Sequence, residues 1–145
     1  LKLAEKYNLP TVIKNFILTH HGKGMTKFFY ISYVNEHPDE PVDKSLFTYP
    51  GPNPFTREQA LLMMADTVEA ASRSLHVYTE QSISELVNRL IDGQVADGFF
   101  TECPITFRDI AIAKQTLIER LKAIYHTRIS YPKMNTTKET QNKTV

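Results

Sequence analysis

Two adjacent histidines, His20 and His21, are the residues of this sequence best suited to metal chemistry. They stand directly before Gly22, at the end of a stretch whose apolar residues recur at helical spacing. A single inward histidine is usually a hydrogen-bonded core residue, whereas two in succession held by a glycine strengthen the case for metal ligands. Neighbouring helical residues are rotated by about 100°, so we expect the two rings to diverge and to suit two ions better than one. Alternatively, both are packing residues.

A further candidate metal ligand is Asp66, in the middle of a helix predicted from Thr56 to Leu75. Leu62 and Ala70 lie one turn to either side of it, on a second apolar face of that helix. A helix with two apolar faces is expected to be buried, and an unpaired acid there would be costly. Asp66 therefore either pairs with a cation or a helix terminus, which the pattern alone favours, or binds a metal ion.

Two basic residues are candidate contacts for an anionic substrate. Lys23 stands between two glycines, and such a segment can wrap an anion with its backbone N–H groups, although it can equally be a simple turn. Arg73 lies two turns beyond Asp66 on the same helix face. Glu69 precedes Arg73 by four residues, and a simple salt bridge between them is the stronger interpretation.

Composition and motifs exclude several classes of function. Seventeen basic and sixteen acidic residues give the 145-residue chain a formal charge of +1, so no DNA-binding role is indicated. Its one cysteine, Cys103, permits no disulfide within the chain. Zinc-finger, serine-elbow and dinucleotide-binding motifs are absent from the sequence, as are a signal peptide and a membrane-spanning apolar run. We expect one soluble domain.

Helical periodicity predicts an all-α bundle. The predicted helices run from Pro10 to Gly22, from Thr56 to Leu75, from Thr79 to Ala96 and from Thr106 onwards, each with a plausible first-turn residue. The aromatic segment 28–34 fits a strand or a helix, and we favour a helix. A proline-rich loop fills 37–54. The polar segment 133–145 is predicted to be a disordered tail after a domain covering 1–132.

Three ordered motifs carry a family resemblance. They are Thr19-His20-His21-Gly22, Tyr49-Pro50-Gly51-Pro52 and the segment from Met64 to Ser74. A fourth segment, from His126 to Pro132, adds to the likeness near the end of the chain. Together they resemble the HD-domain phosphohydrolases fused to bacterial seven-transmembrane proteins, a family that hydrolyses cyclic di-AMP. The likeness covers nearly the whole chain from Leu1 to Pro132.

The resemblance implies a function and a site. It implies a helical domain with two divalent ions, iron or manganese, that activate a hydroxide to open cyclic di-AMP to a linear dinucleotide. His20, His21 and Asp66 fall at later ligand positions of the family, and two cations suit this chemistry because they lower the pKa of water and offset phosphate charge. The resemblance also implies a membrane-tethered parent protein with this domain on the cytoplasmic side of the bacterial inner membrane.

The sequence departs from the family pattern at two points. Lys23 stands where the family has a small hydroxyl residue. The family's His-Asp doublet and further histidine ligands precede this region, yet no histidine occurs before His20 and no aspartate before Asp39. We therefore expect an HD-like bundle that is incomplete at its N-terminal side and inactive alone. Its uncovered apolar face could support a homodimer.

Three other hypotheses remain open from the sequence. The domain could be an HD-family phosphohydrolase acting on another nucleotide or phosphate ester. It could be a helical nucleotide-binding or regulatory module without catalysis. Finally, Asp66 could pair with a cation while His20 and His21 only pack.

Overall fold

The computed structural model describes residues 1–126, and helices supply all of the regular secondary structure in that range. The six α-helices are α1 (Lys2–Lys6), α2 (Thr11–Thr19), α3 (Lys27–Glu36), α4 (Arg57–Ser72), α5 (Glu80–Ala96) and α6 (Phe107–His126), and a 3-10 turn (Lys44–Phe47) lies between α3 and α4. The all-α prediction is confirmed. The predicted domain end at 132 and the predicted disordered tail 133–145 lie outside the described residues.

Helices α4 and α5 begin where their first-turn residues predict. The Thr56 hydroxyl accepts a hydrogen bond from the Gln59 N–H, and the Gln59 side chain accepts one from the Thr56 N–H in return. Thr79 and Ser82 make the same reciprocal pair at the start of α5. Each pair satisfies two backbone donors that a helix start otherwise leaves free. Helix α4 stops at Ser72, three residues before the predicted end.

The start of α6 has a reciprocal hydrogen-bonded pair, of which one member is charged. The Asp109 carboxylate accepts hydrogen bonds from the Thr106 N–H (2.9 Å) and hydroxyl (2.8 Å), and the Thr106 hydroxyl accepts one from the Asp109 N–H (3.1 Å). The two hydrogen bonds that the carboxylate accepts lower the pKa of Asp109, and the bond from the Thr106 backbone N–H has the larger effect. The ionised carboxylate is therefore the form that stabilises this helix start.

We expect the Asp109 pair to contribute stability above the ordinary pKa of an aspartate, about 3.9, and to lose that contribution as the pH falls through the lowered folded-state pKa. Asp109→Asn should lower the melting temperature at pH 7, and the difference from wild type should shrink toward pH 3. Thermal unfolding across this pH range measures both effects. The control Glu102→Gln changes an exposed carboxylate elsewhere and should show neither; a pH-independent difference for Asp109→Asn would contradict the prediction.

The hydrophobic core lies between α4, α5 and α6. Its most completely buried side chains are Met64 and Val68 of α4 and Ile83, Val87 and Ile91 of α5. Helix α6 contributes Ile110, Ala113 and Leu121, which are buried, whereas Ile124 near its end is 50% exposed. This three-helix unit fixes the position of α4, and therefore of Asp66.

The second apolar face of α4 is only partly covered by residues 1–126, and of its apolar side chains only Met63 is buried. Leu62 is 41% exposed, Ala70 is exposed, and the Asp66 side chain is 44% exposed. The prediction that α4 is buried on two faces is therefore wrong at Leu62, Asp66 and Ala70 within residues 1–126. The physical reason is that α5 and α6 pack on the opposite face, around Met64 and Val68.

The N-terminal half is more open than the three-helix unit. Segment 28–34 is helical, as predicted, but α3 buries none of its residues, and Phe28 is 75% exposed. Its Tyr30 and Tyr33 rings pack on Phe47 of the 3-10 turn. Within 1–126, every helix is too short or too polar to cross a lipid bilayer.

Candidate metal centre

The ring of His20 is held in one orientation by the end of α2. His20 is the C-terminal cap of that helix, and its Nδ1 lies 2.8 Å from the Ile17 carbonyl oxygen and 3.2 Å from the Phe16 carbonyl oxygen. A carbonyl oxygen only accepts hydrogen bonds, so Nδ1 carries the proton. In neutral His20 the lone pair is therefore on Nε2, which is the usual arrangement of a histidine that binds a metal ion.

The ring of His21 lies between two other rings. Its centroid is 4.0 Å from that of His20 and 4.3 Å from that of Tyr49, and the Tyr49 ring is nearly parallel to it. The prediction that the two histidine rings diverge is wrong. Helix α2 ends at Thr19, so His21 leaves the helical path and its ring folds back beside His20.

Asp66 faces the histidine pair from the middle of α4. Its Oδ2 lies 3.8 Å from Nδ1 of His21, and both side chains are partly exposed. Burial is the largest effect on the pKa of His21 and lowers it, and His20 lowers it further, while the Asp66 carboxylate raises it. The net lowering favours neutral His21, the protonation state that can bind a metal ion.

These three side chains fit a metal centre in chemistry but do not complete one. His20 offers a fixed Nε2 lone pair, and His21 lies beside the carboxylate of Asp66. Imidazole and carboxylate ligands together suit first-row transition metals. Among residues 1–126, however, no group of three or more His, Cys, Asp and Glu side chains is arranged to hold an ion.

Gly51 allows the proline-rich loop to pack tightly against the histidine turn. A Cβ atom at Gly51 would overlap the Leu18 carbonyl oxygen and would lie 3.3 Å from the Gly22 carbonyl oxygen. Nearby, the Asn53 side chain accepts a hydrogen bond from the Lys23 N–H at 3.0 Å. The loop thereby fixes the chain on both sides of His20 and His21.

The two predicted anion contacts differ in their availability. Lys23 is exposed and forms no ion pair with residues 1–126, although its backbone lies in the turn beside the histidines. The Arg73 guanidinium instead holds Glu69 at 2.7 and 3.0 Å, which is the salt bridge that their spacing indicated. These hydrogen bonds also raise the pKa of Arg73. Only Lys23 is free to meet a ligand without breaking a contact.

A cavity of about 420 Å³ opens beside the histidine turn and adds residues that sequence reasoning missed. Besides His20 and His21, its walls include Tyr49, Arg89 and Gln94. Gln94 could have been found, because it extends the apolar stripe of α5 at helical spacing and yet is polar. Arg89 carried no such signal.

The chain is similar in sequence to two curated cyclic-di-AMP phosphodiesterases. The chain is 37% identical over 130 residues to a cyclic-di-AMP phosphodiesterase PgpH of Bacillus subtilis, and 39% identical over 131 residues to that of Listeria monocytogenes. Each match covers 90% of this chain, which spans 18% of the length of either relative. No protein-family model matches the chain.

Two solved structures have the same fold as this chain. The crystal structure of the L. monocytogenes PgpH HD domain in complex with cyclic di-AMP aligns with a TM-score of 0.81 at 38% identity, covering 90% of this chain and 60% of that domain. A second structure of this HD domain aligns with a TM-score of 0.78 at 36% identity. The HD-like helical fold and the family resemblance predicted from the sequence are confirmed.

Proposed function

We propose, from the likeness of this chain to the PgpH HD domain, that it forms part of a metal-dependent phosphodiesterase that opens cyclic di-AMP to a linear dinucleotide. The observation that carries the proposal is the placement of His20 and His21 opposite Asp66. The two histidines come from the end of α2 and the carboxylate from α4, so the fold gathers them from distant parts of the sequence. The three-helix core gives the carboxylate a rigid support.

In this proposal His20, through Nε2, His21 and Asp66 hold part of a centre for two divalent ions, iron or manganese. Such ions would lower the pKa of a water nucleophile and offset the charge of the phosphodiester. The chain's own contribution is orientation. The Ile17 carbonyl fixes the His20 ring, Tyr49 supports the His21 ring, and burial keeps His21 neutral.

The isolated chain is expected to be inactive. Three donors are too few for two ions of metals that favour octahedral coordination. The further ligands would come from residues outside 1–126, because no group of three donors within that range is arranged around an ion. Lys23 is the better placed of the two predicted substrate contacts, since Arg73 is occupied by Glu69.

Two further features of the predicted parent protein belong to the same proposal. It would be membrane-tethered, with this domain on the cytoplasmic side, and it would bind a cyclic dinucleotide rather than DNA. Exposed apolar side chains such as Phe28 and Phe29 would favour a homodimer in the separate chain. Fractionation of cells and light scattering of the purified chain would test these two points.

The direct test is hydrolysis of cyclic di-AMP by the full-length protein purified with iron or manganese. We expect a linear dinucleotide product, two metal ions per protein by elemental analysis, and loss of turnover after chelation. The chain of residues 1–145 alone should hold less metal and show no turnover. Full metal content and activity in the short chain would contradict the expectation of an incomplete centre. Binding of cyclic di-AMP without turnover by the full-length protein would favour the regulatory module instead.

A further inference from the structure

Helix α3 and the 3-10 turn that follows it present large apolar side chains to solvent. Phe28 and Phe29 of α3 are 75% and 64% exposed, and Leu46 of the turn is 79% exposed. We call these three side chains the α3 patch. Clustered apolar side chains on a surface mark a site where a protein or a membrane binds.

Hydrogen bonds bring the two segments of the α3 patch together. The Phe47 carbonyl oxygen accepts one from the Thr26 N–H at 2.7 Å and one from the Thr26 hydroxyl at 3.0 Å. Leu46 directly precedes Phe47, and Thr26 directly precedes α3. The two tyrosine rings of α3 pack on the Phe47 ring. This packing uses one side of the helix and leaves Phe28 and Phe29 on the outside.

Two lysines flank the α3 patch. Lys27 is the first residue of α3, and the ammonium group of Lys44 in the turn lies 6.0 Å from the centre of the Tyr30 ring. Both lysines are exposed, and neither forms an ion pair with residues 1–126. Asp43 is the acidic neighbour of Lys44, and its carboxylate accepts a backbone N–H at 2.9 Å. Glu36 is at the other end of α3, about 13 Å along the helix axis.

These lysines favour a lipid surface over a second copy of the chain as the partner of the α3 patch. In a two-fold contact each copy presents the same surface, so Lys27 and Lys44 would approach the same lysines of the other copy. Like charges oppose such a contact, and lysine is depleted from protein–protein interfaces. An anionic bilayer attracts lysines and accepts Phe and Leu side chains among its headgroups. Lipid would therefore compete with the homodimer expected of the separate chain.

We propose that the α3 patch docks on the surface of an anionic lipid bilayer. Phe28, Phe29 and Leu46 enter the headgroup region, while Lys27 and Lys44 contact the lipid phosphates. This contact is peripheral, so it is distinct from a membrane tether of the parent protein, and it does not depend on hydrolysis of cyclic di-AMP. Because α3 follows the histidine turn in the sequence, docking holds that turn close to the bilayer.

Hydroxyl-radical footprinting of the full-length protein tests the docking without any substitution. Phe28 and Phe29 should lose most of their reactivity in phosphatidylglycerol vesicles, compared with phosphatidylcholine vesicles. Phe107 of α6 is the control, because it is 84% exposed and should react equally in both. Equal protection of Phe28 and Phe29 in both lipids would overturn the proposal, since protein would then cover them. Full reactivity in both lipids would overturn it as well.

Tryptophan fluorescence gives a second measurement on the chain of 145 residues, which contains no tryptophan. Brominated phosphatidylglycerol should quench the Phe28→Trp protein and leave the Phe107→Trp protein unquenched. In the Phe28→Trp protein, Lys27→Gln and Lys44→Gln should each weaken vesicle binding about fivefold. The control Lys2→Gln removes an exposed lysine at the start of the chain and should not weaken it.

Three outcomes of the fluorescence measurement would contradict docking by the α3 patch. Equal quenching of the Phe28→Trp and Phe107→Trp proteins would indicate adsorption without a defined surface. Vesicle binding that ignores both lysine substitutions would remove the charge complementarity. A blue shift of the Phe28→Trp protein that grows with protein concentration and ignores vesicles would assign the patch to a second copy of the chain.

Discussion

Asp66→Ala in the full-length protein should lower turnover of cyclic di-AMP on the order of 10³-fold and should lower the metal content of the purified enzyme. Asp66 is the carboxylate that faces the histidine pair, at 3.8 Å from His21. A two-ion centre supplies several kcal/mol of transition-state stabilisation, and about 1.4 kcal/mol corresponds to tenfold in rate. Because Asp66 is 44% exposed, its replacement should leave the fold intact. Elemental analysis, steady-state kinetics and thermal unfolding together measure these effects.

Controls for the ligand assignment exist elsewhere in the chain. Asp39→Ala removes an exposed aspartate of the proline-rich loop and should change neither metal content nor turnover. His37 is the matched control for His20→Gln, because its Nδ1 also lies against a backbone carbonyl oxygen, that of Tyr33 at 3.1 Å. His20→Gln should lose activity and His37→Gln should keep it. If Asp66→Ala retained both ions and full turnover, the carboxylate would not be a ligand.

Gly51→Ala is expected to have the largest effect on stability. The added methyl group would overlap the Leu18 carbonyl oxygen, which belongs to helix α2 and has little room to move. Either the loop or the end of α2 must shift, and such overpacking costs about 3 kcal/mol. The shift would also displace His20 and His21, so metal content should fall together with stability.

A glycine-to-alanine substitution in helix α5 should instead raise the free energy of unfolding. A Cβ atom at Gly93 of helix α5 meets nothing within 4 Å. Gly93→Ala should therefore raise stability by up to about 1 kcal/mol, the usual gain from replacing a helical glycine. Chemical denaturation of wild type, Gly51→Ala and Gly93→Ala measures both changes in the free energy of unfolding. A Gly51→Ala protein as stable as wild type would show that the loop does not support the histidine turn.

The sequence was sufficient to predict most of the helices in residues 1–126 and to single out His20, His21 and Asp66, which the structure places close together. Thr56, Thr79 and Thr106 each precede a residue that completes a helix start, so the signals that begin these helices are local. Local signals of this kind are strong enough to fix an element without knowledge of its neighbours.

The predictions that failed were those that depended on neighbours. Spacing showed that α4 has two apolar faces, but it could not show that α5 and α6 cover only the one with Met64 and Val68. Likewise, the rotation of His21 relative to His20 assumed a helix that in fact ends at Thr19. The place of Arg89 at the cavity could not be predicted either, because it depends on which elements meet there, and that is decided by tertiary packing.

The joining of an open N-terminal half to a closed three-helix core has a consequence for amide hydrogen exchange. Segments with few buried side chains open at low free energy, whereas core helices exchange only on global unfolding. Amides of α2 and α3 should therefore exchange well before those of α4 and α5. Because the histidines lie at the end of α2 and Asp66 lies in α4, an ion bound between them would slow exchange in α2 most. The difference between exchange with and without metal would then map the centre without any measurement of catalysis.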